Sequence, residues 1–403
     1  MDTAHDFDLG RNMISEEVFR NRVKDFFLEY APEYNWLRDE FGQPQREEQS
    51  NEQRLKKARN CLELLHKAGL AALTWPIKFG GQGLTKREQI IFNQEAARYD
   101  LPLDIFIIGF GMCAPTIMSH GTDLQKNRYL PRLLNGEDIW CQLFSEPEAG
   151  SDLSSIRCSA EFNNGFWKIN GQKVWISGAH NAAFGTLLVR TQFGVSRHLG
   201  FTMFIVDMTN PGITIRPLRQ MSGSSKFNEV FFDNCVVAPE DVLGDVGVGW
   251  QVATTSLMNE RLSIGTGSPT GYGHPTSALI KELQRNGGMD MINRQKTTEL
   301  YIREKIIAFL SAKATNDLLE EKQPGPEGSL IKLATTQISK DSAGVAMSIV
   351  GASSIAWCPD DLDSGVWSDI QTTTPGLSIA GGTDEIQRSI IGEKILGLPR
   401  EPR

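Results

Sequence analysis

The chain of 403 residues is longer than one hydrophobic core usually supports, so two or three domains are expected. Hydrophobic residues make up 40% and charged residues 22%, a composition typical of a soluble globular protein. The net charge of −8 argues against a general affinity for nucleic acid or for an anionic membrane, so neither is expected as a partner.

Cysteine and histidine usage predicts no metal centre. The six cysteines are scattered without a CxxC pair, and the six histidines are equally dispersed. The acidic N-terminal stretch lacks the apolar run of a signal peptide, and no apolar segment is long enough to cross a bilayer. We therefore expect reduced thiols, no metal, no membrane association and a cytoplasmic location.

Helical periodicity dominates the first third of the chain. Apolar residues recur at intervals of three and four over residues 18–30 and 54–68, which predicts amphipathic helices. After a glycine-rich loop at residues 79–83, a third helix is predicted over residues 85–98, with Thr85 as its N-cap. A further short helix is expected within residues 121–136.

The pattern then changes to strands. An apolar run at residues 139–144 leads into a polar loop at residues 145–152. Hairpin turns are predicted at residues 163–165 and at Asn170-Gly171. On physical grounds alone, a surface loop on an antiparallel sheet explains this region as well as a binding site does.

Further strands are predicted up to about residue 244. They are rich in β-branched and aromatic residues and cover residues 186–191, 201–206, 212–217 and 229–233. About a hundred residues of short strands without an intervening helix predict a small antiparallel β-barrel or sandwich.

Long helical segments occupy the rest of the chain. They are predicted over residues 250–266, 277–286, 291–320, 329–350 and 383–396. The four longer ones predict a helical bundle. The expected fold is therefore α+β and multidomain: an N-terminal helical domain at residues 1–137, a β domain at residues 138–245 and a C-terminal four-helix bundle at residues 246–403.

A carboxylate interrupts the apolar face of one C-terminal helix. A single stripe at helical spacing is formed by Ala253, Leu257, Glu260 and Ile264. A carboxylate within such a stripe is either paired with a cation or functional. From the residues alone, an ion pair with a neighbour such as Arg261 is slightly favoured.

Several motifs resemble those of the acyl-CoA dehydrogenase family. Residues 145–152 read SEPEAGSD and residues 170–177 read NGQKVWIS. Residues 75–83 resemble the family's N-terminal signature, residues 227–239 the exit of its β domain, and residues 381–388 its C-terminal flavin motif. The resemblance covers nearly the whole chain and implies the same order of helices, β-barrel and helical bundle.

The resemblance implies an FAD-dependent enzyme that desaturates an acyl-CoA to the 2-enoyl-CoA. In the family a carboxylate removes the α proton, while the flavin N5 accepts the β hydrogen as hydride. The base stands either just before the C-terminal Gly-Thr or on a helix just before an arginine. Here Gly381 occupies the first position and Glu260 precedes Arg261, so Glu260 is the implied base. By the same match, Arg261 and Gly381 lie on the substrate side of the pocket.

The resemblance also implies contacts with the cofactor and the thioester. A hydroxyl or backbone N–H can hydrogen-bond the flavin ring, and a tryptophan can cover its face. The implied cofactor-binding residues are Gln142, Phe144, Ser145, Trp175, Ser177, Thr383 and Glu385. Ser151 is implied to contact the pantetheine arm of the substrate. From the residues alone, Thr383 is equally well explained as a helix N-cap.

Two segments differ from common homotetrameric members of the family. Those relatives contribute an Arg-x-x-x-Phe-Gly segment to the flavin of an adjacent subunit, and residues 271–285 lack it. They also contribute a Gln-x-x-Gly-Gly-x-Gly stretch, and residues 348–354 lack its glutamine and most of its glycines. We therefore expect a tetramer with a related but different subunit, with a homotetramer as the alternative.

The resemblance implies an electron-transferring flavoprotein as acceptor. One alternative is an oxidase or monooxygenase of the same fold, which passes electrons to oxygen. Another is a largely structural partner subunit, which would be expected to lack both possible bases. The acyl group, whether fatty, branched or steroid, is left open.

Overall fold

The computed structural model describes residues 15–35, 50–195, 198–265, 275–286, 290–320, 325–356 and 365–400, except for the side chains of residues 261–265 and 318. Within these ranges the α-helices are α1 (Glu16–Tyr30), α2 (Asn51–Lys67), α3 (Lys86–Ala96), α4 (Ala114–His120), α5 (Asp123–Leu134), α6 (Gly249–Gly265), α7 (Pro275–Arg285), α8 (Met291–Leu319), α9 (Glu327–Val350), α10 (Val366–Leu377) and α11 (Asp384–Ile390). The strands are β1 (Trp140–Leu143), β2 (Ser159–Asn163), β3 (Phe166–Ser177), β4 (Phe184–Arg190), β5 (Phe201–Asp207), β6 (Ile213–Leu218), β7 (Phe227–Val237) and β8 (Val242–Leu243).

The N-terminal helices begin at the residues that their capping signals indicate. Thr85 caps α3: its side chain accepts the Arg87 N–H at 3.2 Å, while Glu88 accepts the Thr85 N–H at 2.8 Å. Ser50 and Thr122 form the same reciprocal capping box at α2 and α5. The prediction of Thr85 as an N-cap is confirmed.

The eight strands form one sheet in the order β6-β7-β3-β2-β4-β5-β8, and β1 pairs with β4. Most pairings are antiparallel, but β1 and β2 both pair with β4 in parallel. The hairpin between β2 and β3 turns at Asn164 and Gly165, whose φ angles are 52° and 84°. Two successive positive φ angles are the requirement of a type I′ turn, which explains the Asn-Gly sequence.

The prediction of a second turn at Asn170-Gly171 was wrong. Strand β3 passes through these residues without reversing and carries a register shift there against β7. A Cβ on Gly171 would lie 2.7 Å from the Cα of Cys158, so the glycine permits a close approach of two backbones. The Asn170 side chain accepts the N–H of Asn234, which makes it part of the bulge.

Strand β1 joins two hydrophobic cores. Trp140 packs in the first core, with the N-terminal helices and α6, whereas Cys141 and Leu143 pack in the core of the β domain. Phe144, directly after the strand, belongs to the first core. Because side chains alternate across a strand, β1 presents one face to each core and lies where the two domains meet.

Helix α9 is the centre of the C-terminal bundle and packs against α6, α7, α8, α10 and α11. Helix α10 was not predicted, because its sequence contains three threonines followed by Pro375 and Gly376. Its Trp367 packs against the bundle core and donates a hydrogen bond to Glu282 at 3.2 Å. Within the described ranges, no helix is both long and apolar enough to span a membrane.

Candidate active site

A buried ion pair connects the two central motifs. Lys173 is completely buried and donates to Oε1 of Glu146 at 2.8 Å and to the Phe144 carbonyl at 2.9 Å. The same carboxylate accepts the backbone N–H groups of Arg157 and Cys158 at 2.6 and 3.0 Å. The loop at residues 145–152 and strand β3 are therefore held together. Sequence reasoning quoted both charged residues within the motifs but assigned neither a role.

Trp175 has an unusual backbone conformation. Its φ angle is +62°, in the left-handed region that non-glycine residues rarely occupy. The β3–β7 register shifts between Lys173 and Ile176, so Trp175 sits in a bulge. The residue is 60% exposed, and its indole meets the Phe227 ring edge-on, with ring centroids 6.4 Å apart. Such strain, about 1–3 kcal/mol, commonly marks a functional position.

Buried Asn228 supports this bulge from strand β7. Its amide nitrogen donates to the Ile176 carbonyl at 2.9 Å, and its amide oxygen lies 3.1 Å from Nδ1 of His180. Ser177 follows Ile176 as the last residue of β3 and is partly buried. Asn228 was not singled out in the sequence, because its partner lies 52 positions away. The arrangement fixes the backbone on which Trp175 and Ser177 are displayed.

Three of the implied cofactor-binding residues lie at the end of β1. Gln142 and Ser145 are partly buried, whereas the Phe144 ring is 5% exposed within the first core. The Ser145 carbonyl accepts the N–H of Val174 at 2.9 Å, which places Ser145 beside the Trp175 bulge. The structure thus brings Ser145, Trp175 and Ser177 close together, where the chain leaves β1 and where β3 ends. Phe144 could reach a ligand there through its backbone rather than through its ring.

Arg190 anchors the exit of the same loop. Its guanidinium donates to the Ser154 carbonyl at 2.9 Å and to the Ile156 carbonyl at 3.4 Å, and lies over the Phe201 ring at 4.2 Å. Burial lowers the pKa of Arg190 from its ordinary value. Ser151 itself is exposed. The proposed thioester-contacting segment is therefore fixed by Lys173 on one side and by Arg190 on the other.

The cysteines near this region are unsuited to nucleophilic chemistry. Burial raises the pKa of Cys158 to about 11 and the pKa of Cys113 to about 12. Both thiols therefore stay protonated at neutral pH, whereas the nucleophile is the thiolate. The five cysteines within the described residues are all buried and form no disulfide, and Cys358 lies outside those residues.

The C-terminal motif forms a tight turn before α11. Gly381 and Gly382 have φ angles of 65° and 87°, and the buried Gln387 side chain donates to both of their carbonyls. The Thr383 hydroxyl accepts the Ile386 N–H at 3.2 Å, so Thr383 is the N-cap of the helix. Glu385 is 78% exposed and pairs with Arg388. The glycines are therefore needed for the turn.

A second ion pair fixes this turn to the bundle. Asp384 accepts from Lys332 of α9 at 3.0 Å, and both side chains are about nine-tenths buried. Burial alone would raise the pKa of Asp384, but hydrogen bonds from Lys332 and Ser378 outweigh it and lower the pKa below 3.8. Lys340 of α9 also donates to Ser378 at 3.2 Å. Helix α9 thus sets the position of the glycine turn.

Glu260 lies on the predicted face of α6. Ala253 is buried, Leu257 packs against the first core, and Glu260 is partly exposed one turn further on. The side chains of Arg261 and Ile264 lie outside the described residues, so the predictions for them stay untested. Helix α6 packs on a π-helical turn at Gly109–Cys113, which also contacts β1. It packs on α9 as well, and Lys332 of α9 holds Asp384 directly after the glycine turn.

Family models for the three domains of acyl-CoA dehydrogenases match the chain. The N-terminal domain matches residues 16–137, the middle domain residues 141–235 and the C-terminal domain residues 247–396. The chain belongs to the acyl-CoA dehydrogenase family. It is therefore an oxidoreductase that acts on acyl-CoA, and members of the family are FAD-dependent.

Two curated relatives come from Mycobacterium tuberculosis. Acyl-CoA dehydrogenase IpdE1 is 35% identical over 389 residues, which cover 96% of this chain and 99% of the relative. Acyl-CoA dehydrogenase FadE34 is 39% identical over 332 residues, which cover 82% of this chain but only 45% of the relative. The chain thus spans less than half the length of FadE34 and nearly all of IpdE1.

Two solved structures are similar over almost the whole chain. The ChsE4-ChsE5 complex from M. tuberculosis has a TM-score of 0.76 and 26% identity, covering 98% of this chain and 100% of that one. The Tcur3481-Tcur3483 steroid ACAD has a TM-score of 0.76 and 23% identity, covering 96% and 97%. The second likeness supports the fold alone.

Proposed function

We propose that the chain catalyses the FAD-dependent α,β-dehydrogenation of an acyl-CoA thioester to the 2-enoyl-CoA, with Glu260 as the base. The observation that carries the proposal is the exposed Trp175 ring on its left-handed bulge, beside Ser145 of the SEPEAGSD loop. An exposed indole on a strained backbone contributes little to the stability of the fold, so we interpret Trp175 as a ligand-contacting residue.

The residues around Trp175 fit a flavin. Trp175 offers a flat apolar surface, while Ser145 and Ser177 offer hydroxyl and backbone hydrogen-bonding groups near it, at the ends of β1 and β3. FAD supplies the acceptor for the hydride that leaves the β carbon. Gln142, the Phe144 backbone, Thr383 and Glu385 are proposed as further contacts, of which Thr383 also serves as an N-cap.

Glu260 is the better of the two positions for the base. Gly381 has no side chain, and the nearby carboxylate of Asp384 is held by Lys332 with a lowered pKa, so it is a poor proton acceptor. Glu260 continues the apolar face of α6, a helix that shares the π-helical turn with β1. It would remove the α proton and hold it on its carboxylate. Arg261 and Gly381 are proposed to line the substrate side, and Ser151 to contact the pantetheine arm.

We extend the proposal to partners. An electron-transferring flavoprotein is the proposed acceptor, and a related but different subunit is the proposed companion in a tetramer. The companion is supported by the two missing flavin-contacting segments and by the likeness to the ChsE4-ChsE5 complex. Native mass spectrometry of the chain purified alone tests this assembly. A homotetramer carrying one FAD per subunit would refute it.

The test of the chemistry is an anaerobic titration of the FAD-loaded protein with a panel of acyl-CoAs, read as bleaching of the flavin absorbance. Glu260→Gln should bind acyl-CoA and FAD but bleach at least a hundredfold more slowly, because general-base catalysis contributes about 10²–10⁴-fold. Glu260→Asp keeps a carboxylate and should retain part of the rate. The control is Glu161→Gln, an exposed residue of β2. Unchanged bleaching in Glu260→Gln would place the base elsewhere.

A further inference from the structure

One hydroxyl on α6 is buried without a partner. Ser256 is 1% exposed, and its Oγ has no hydrogen-bond partner among the described residues. Buried polar groups in native proteins are nearly always paired, and an unpaired one is unfavourable, so it requires a specific explanation. Ser256 therefore differs from an ordinary core serine.

The two preceding residues show the usual arrangement. Thr254 donates to the Trp250 carbonyl at 2.8 Å, and Thr255 donates to the Gln251 carbonyl at 3.2 Å. This bond to the preceding turn is the normal way in which a helix satisfies a hydroxyl. Ser256 has the same backbone geometry available, yet its hydroxyl makes no such bond.

Ser256 lies one helical turn from the proposed base. Residues four apart on a helix point to the same side, with Cβ atoms about 5–6 Å apart. Burial increases from Glu260, which is partly exposed, to Ser256 and Ala253, which are about 1% exposed. A substrate whose α carbon lies at Glu260 would therefore extend along α6 into the interior, towards Ser256.

We propose that Ser256 is a specificity-determining residue that hydrogen-bonds an oxygen of the acyl group. This inference rests on the proposed function and names its substrate class: an acyl-CoA that carries a keto or hydroxyl oxygen, rather than a plain alkyl chain. An extended chain advances about 3.3–3.6 Å per three bonds, so the 5–6 Å between turns corresponds to about five bonds. The oxygen is thus expected near the ε or ζ carbon.

The experiment compares decanoyl-CoA with its mono-oxo analogues, which carry the ketone at each carbon from γ to η. Anaerobic flavin bleaching is measured in the holoprotein, in its native assembly, for wild type and Ser256→Ala. Wild type should prefer the ε-oxo or ζ-oxo analogue by about tenfold or more in kcat/KM, the value of one hydrogen bond. Ser256→Ala should abolish that preference, so that the oxo analogues and decanoyl-CoA bleach the flavin with similar kcat/KM.

Ser342→Ala is the matched control. Ser342 of α9 is about 2% exposed, and its hydroxyl likewise has no hydrogen-bond partner within the part of the chain that the structure describes, but it does not lie on the turn next to Glu260. Its replacement should leave the substrate preference as in wild type. Thermal unfolding gives a readout that does not depend on activity: neither Ser256→Ala nor Ser342→Ala should lower Tm, because neither removes an existing hydrogen bond.

Three results would overturn the inference. If wild type bleaches equally with decanoyl-CoA and every oxo analogue, the proposed function stands and the role of Ser256 is refuted. The same holds if Ser256→Ala keeps the preference. If Ser256→Ala lowers Tm while Ser342→Ala does not, Ser256 binds a buried water as a structural group. A flavin that is bleached by none of the acyl-CoAs tested would instead refute the proposed function, and the inference with it.

Discussion

Removing the charge of Lys173 should release the loop that we propose contacts the flavin and the thioester. In Lys173→Met the side chain keeps its length, but the buried Glu146 carboxylate loses the cation with which it is ion-paired while keeping the N–H groups of Arg157 and Cys158. Breaking one side of a buried ion pair destabilises by about 3–5 kcal/mol. Because two N–H donors remain, we expect the lower end, about 3 kcal/mol.

Hydrogen exchange measured by mass spectrometry reports this change locally. The amides of Arg157 and Cys158 donate to Glu146, so their exchange follows the opening of the loop. A loss of about 3 kcal/mol corresponds to roughly a hundredfold faster exchange in peptides covering residues 145–158. The affinity for FAD should fall in parallel, because Ser145 is part of the released segment.

Two further variants separate the buried charge from other effects. Arg157→Met removes a cation that pairs with Glu148 on the surface, where the two side chains are 80% and 70% exposed. That pair should contribute at most about 1 kcal/mol. The double variant Glu146→Gln with Lys173→Met has no unpaired charge and should exchange more slowly than Lys173→Met alone. Equal exchange in Lys173→Met and Arg157→Met would refute the reasoning, as would a double variant no better than the single one.

Other predictions concern the bulge, the loop exit and the glycine turn. Trp175→Gly should leave Tm unchanged or higher, because glycine adopts φ +62° without strain, yet it should bind FAD more weakly in a fluorescence titration than Trp175→Phe does. Arg190→Met should raise KM for acyl-CoA more than it lowers kcat, and Arg190→Lys should recover part of the affinity, since Arg190 holds the loop carbonyls without touching the reacting carbons. The folded pKa of Asp384 is lowered, so its stabilisation is complete above the unfolded value of 3.8 and is lost as pH falls through the folded value. Urea midpoints of wild type and Asp384→Asn should therefore differ most above pH 3.8 and converge as the pH falls through the lower, folded value.

Local sequence signals predicted the elements whose determinants lie within a few residues. The capping residue Thr85, the turn at Asn164 and Gly165, and the apolar face of α6 up to Leu257 are examples. The prediction of a turn at Asn170-Gly171 was wrong because the same dipeptide also occurs where two backbone segments approach closely. Helix α10 was missed because its stability comes from Trp367 packing in the bundle, which outweighs a poor intrinsic propensity.

The contacts that hold the candidate site in place could not be predicted from such local signals. Lys173 meets Glu146 across 27 positions, Arg190 meets Ser154 across 36, and Asn228 meets Ile176 across 52. Each bond depends on the register of the sheet, which no local pattern specifies. The motifs therefore located the loop and the strand, but only the fold shows what holds them together. The roles of Glu260 and of the cofactor-contacting residues stay predictions, and the side chain of Arg261 lies outside the described residues.

Ligand binding would explain both the backbone strain at Trp175 and the buried Ser256 hydroxyl that has no hydrogen-bond partner among the described residues. Trp175→Gly would relieve the backbone strain at the loss of one edge contact with Phe227, and Ser256→Ala would remove a buried hydroxyl without breaking a hydrogen bond to a described residue. Both features lie on the elements that carry the proposed flavin platform and the proposed base, β3 and α6. Their retention is understandable if bound FAD covers the indole and a bound acyl group satisfies the hydroxyl. The two stability measurements above, on Trp175→Gly and Ser256→Ala, test this link directly: a clear fall in Tm for either variant would show that its side chain stabilises the fold itself.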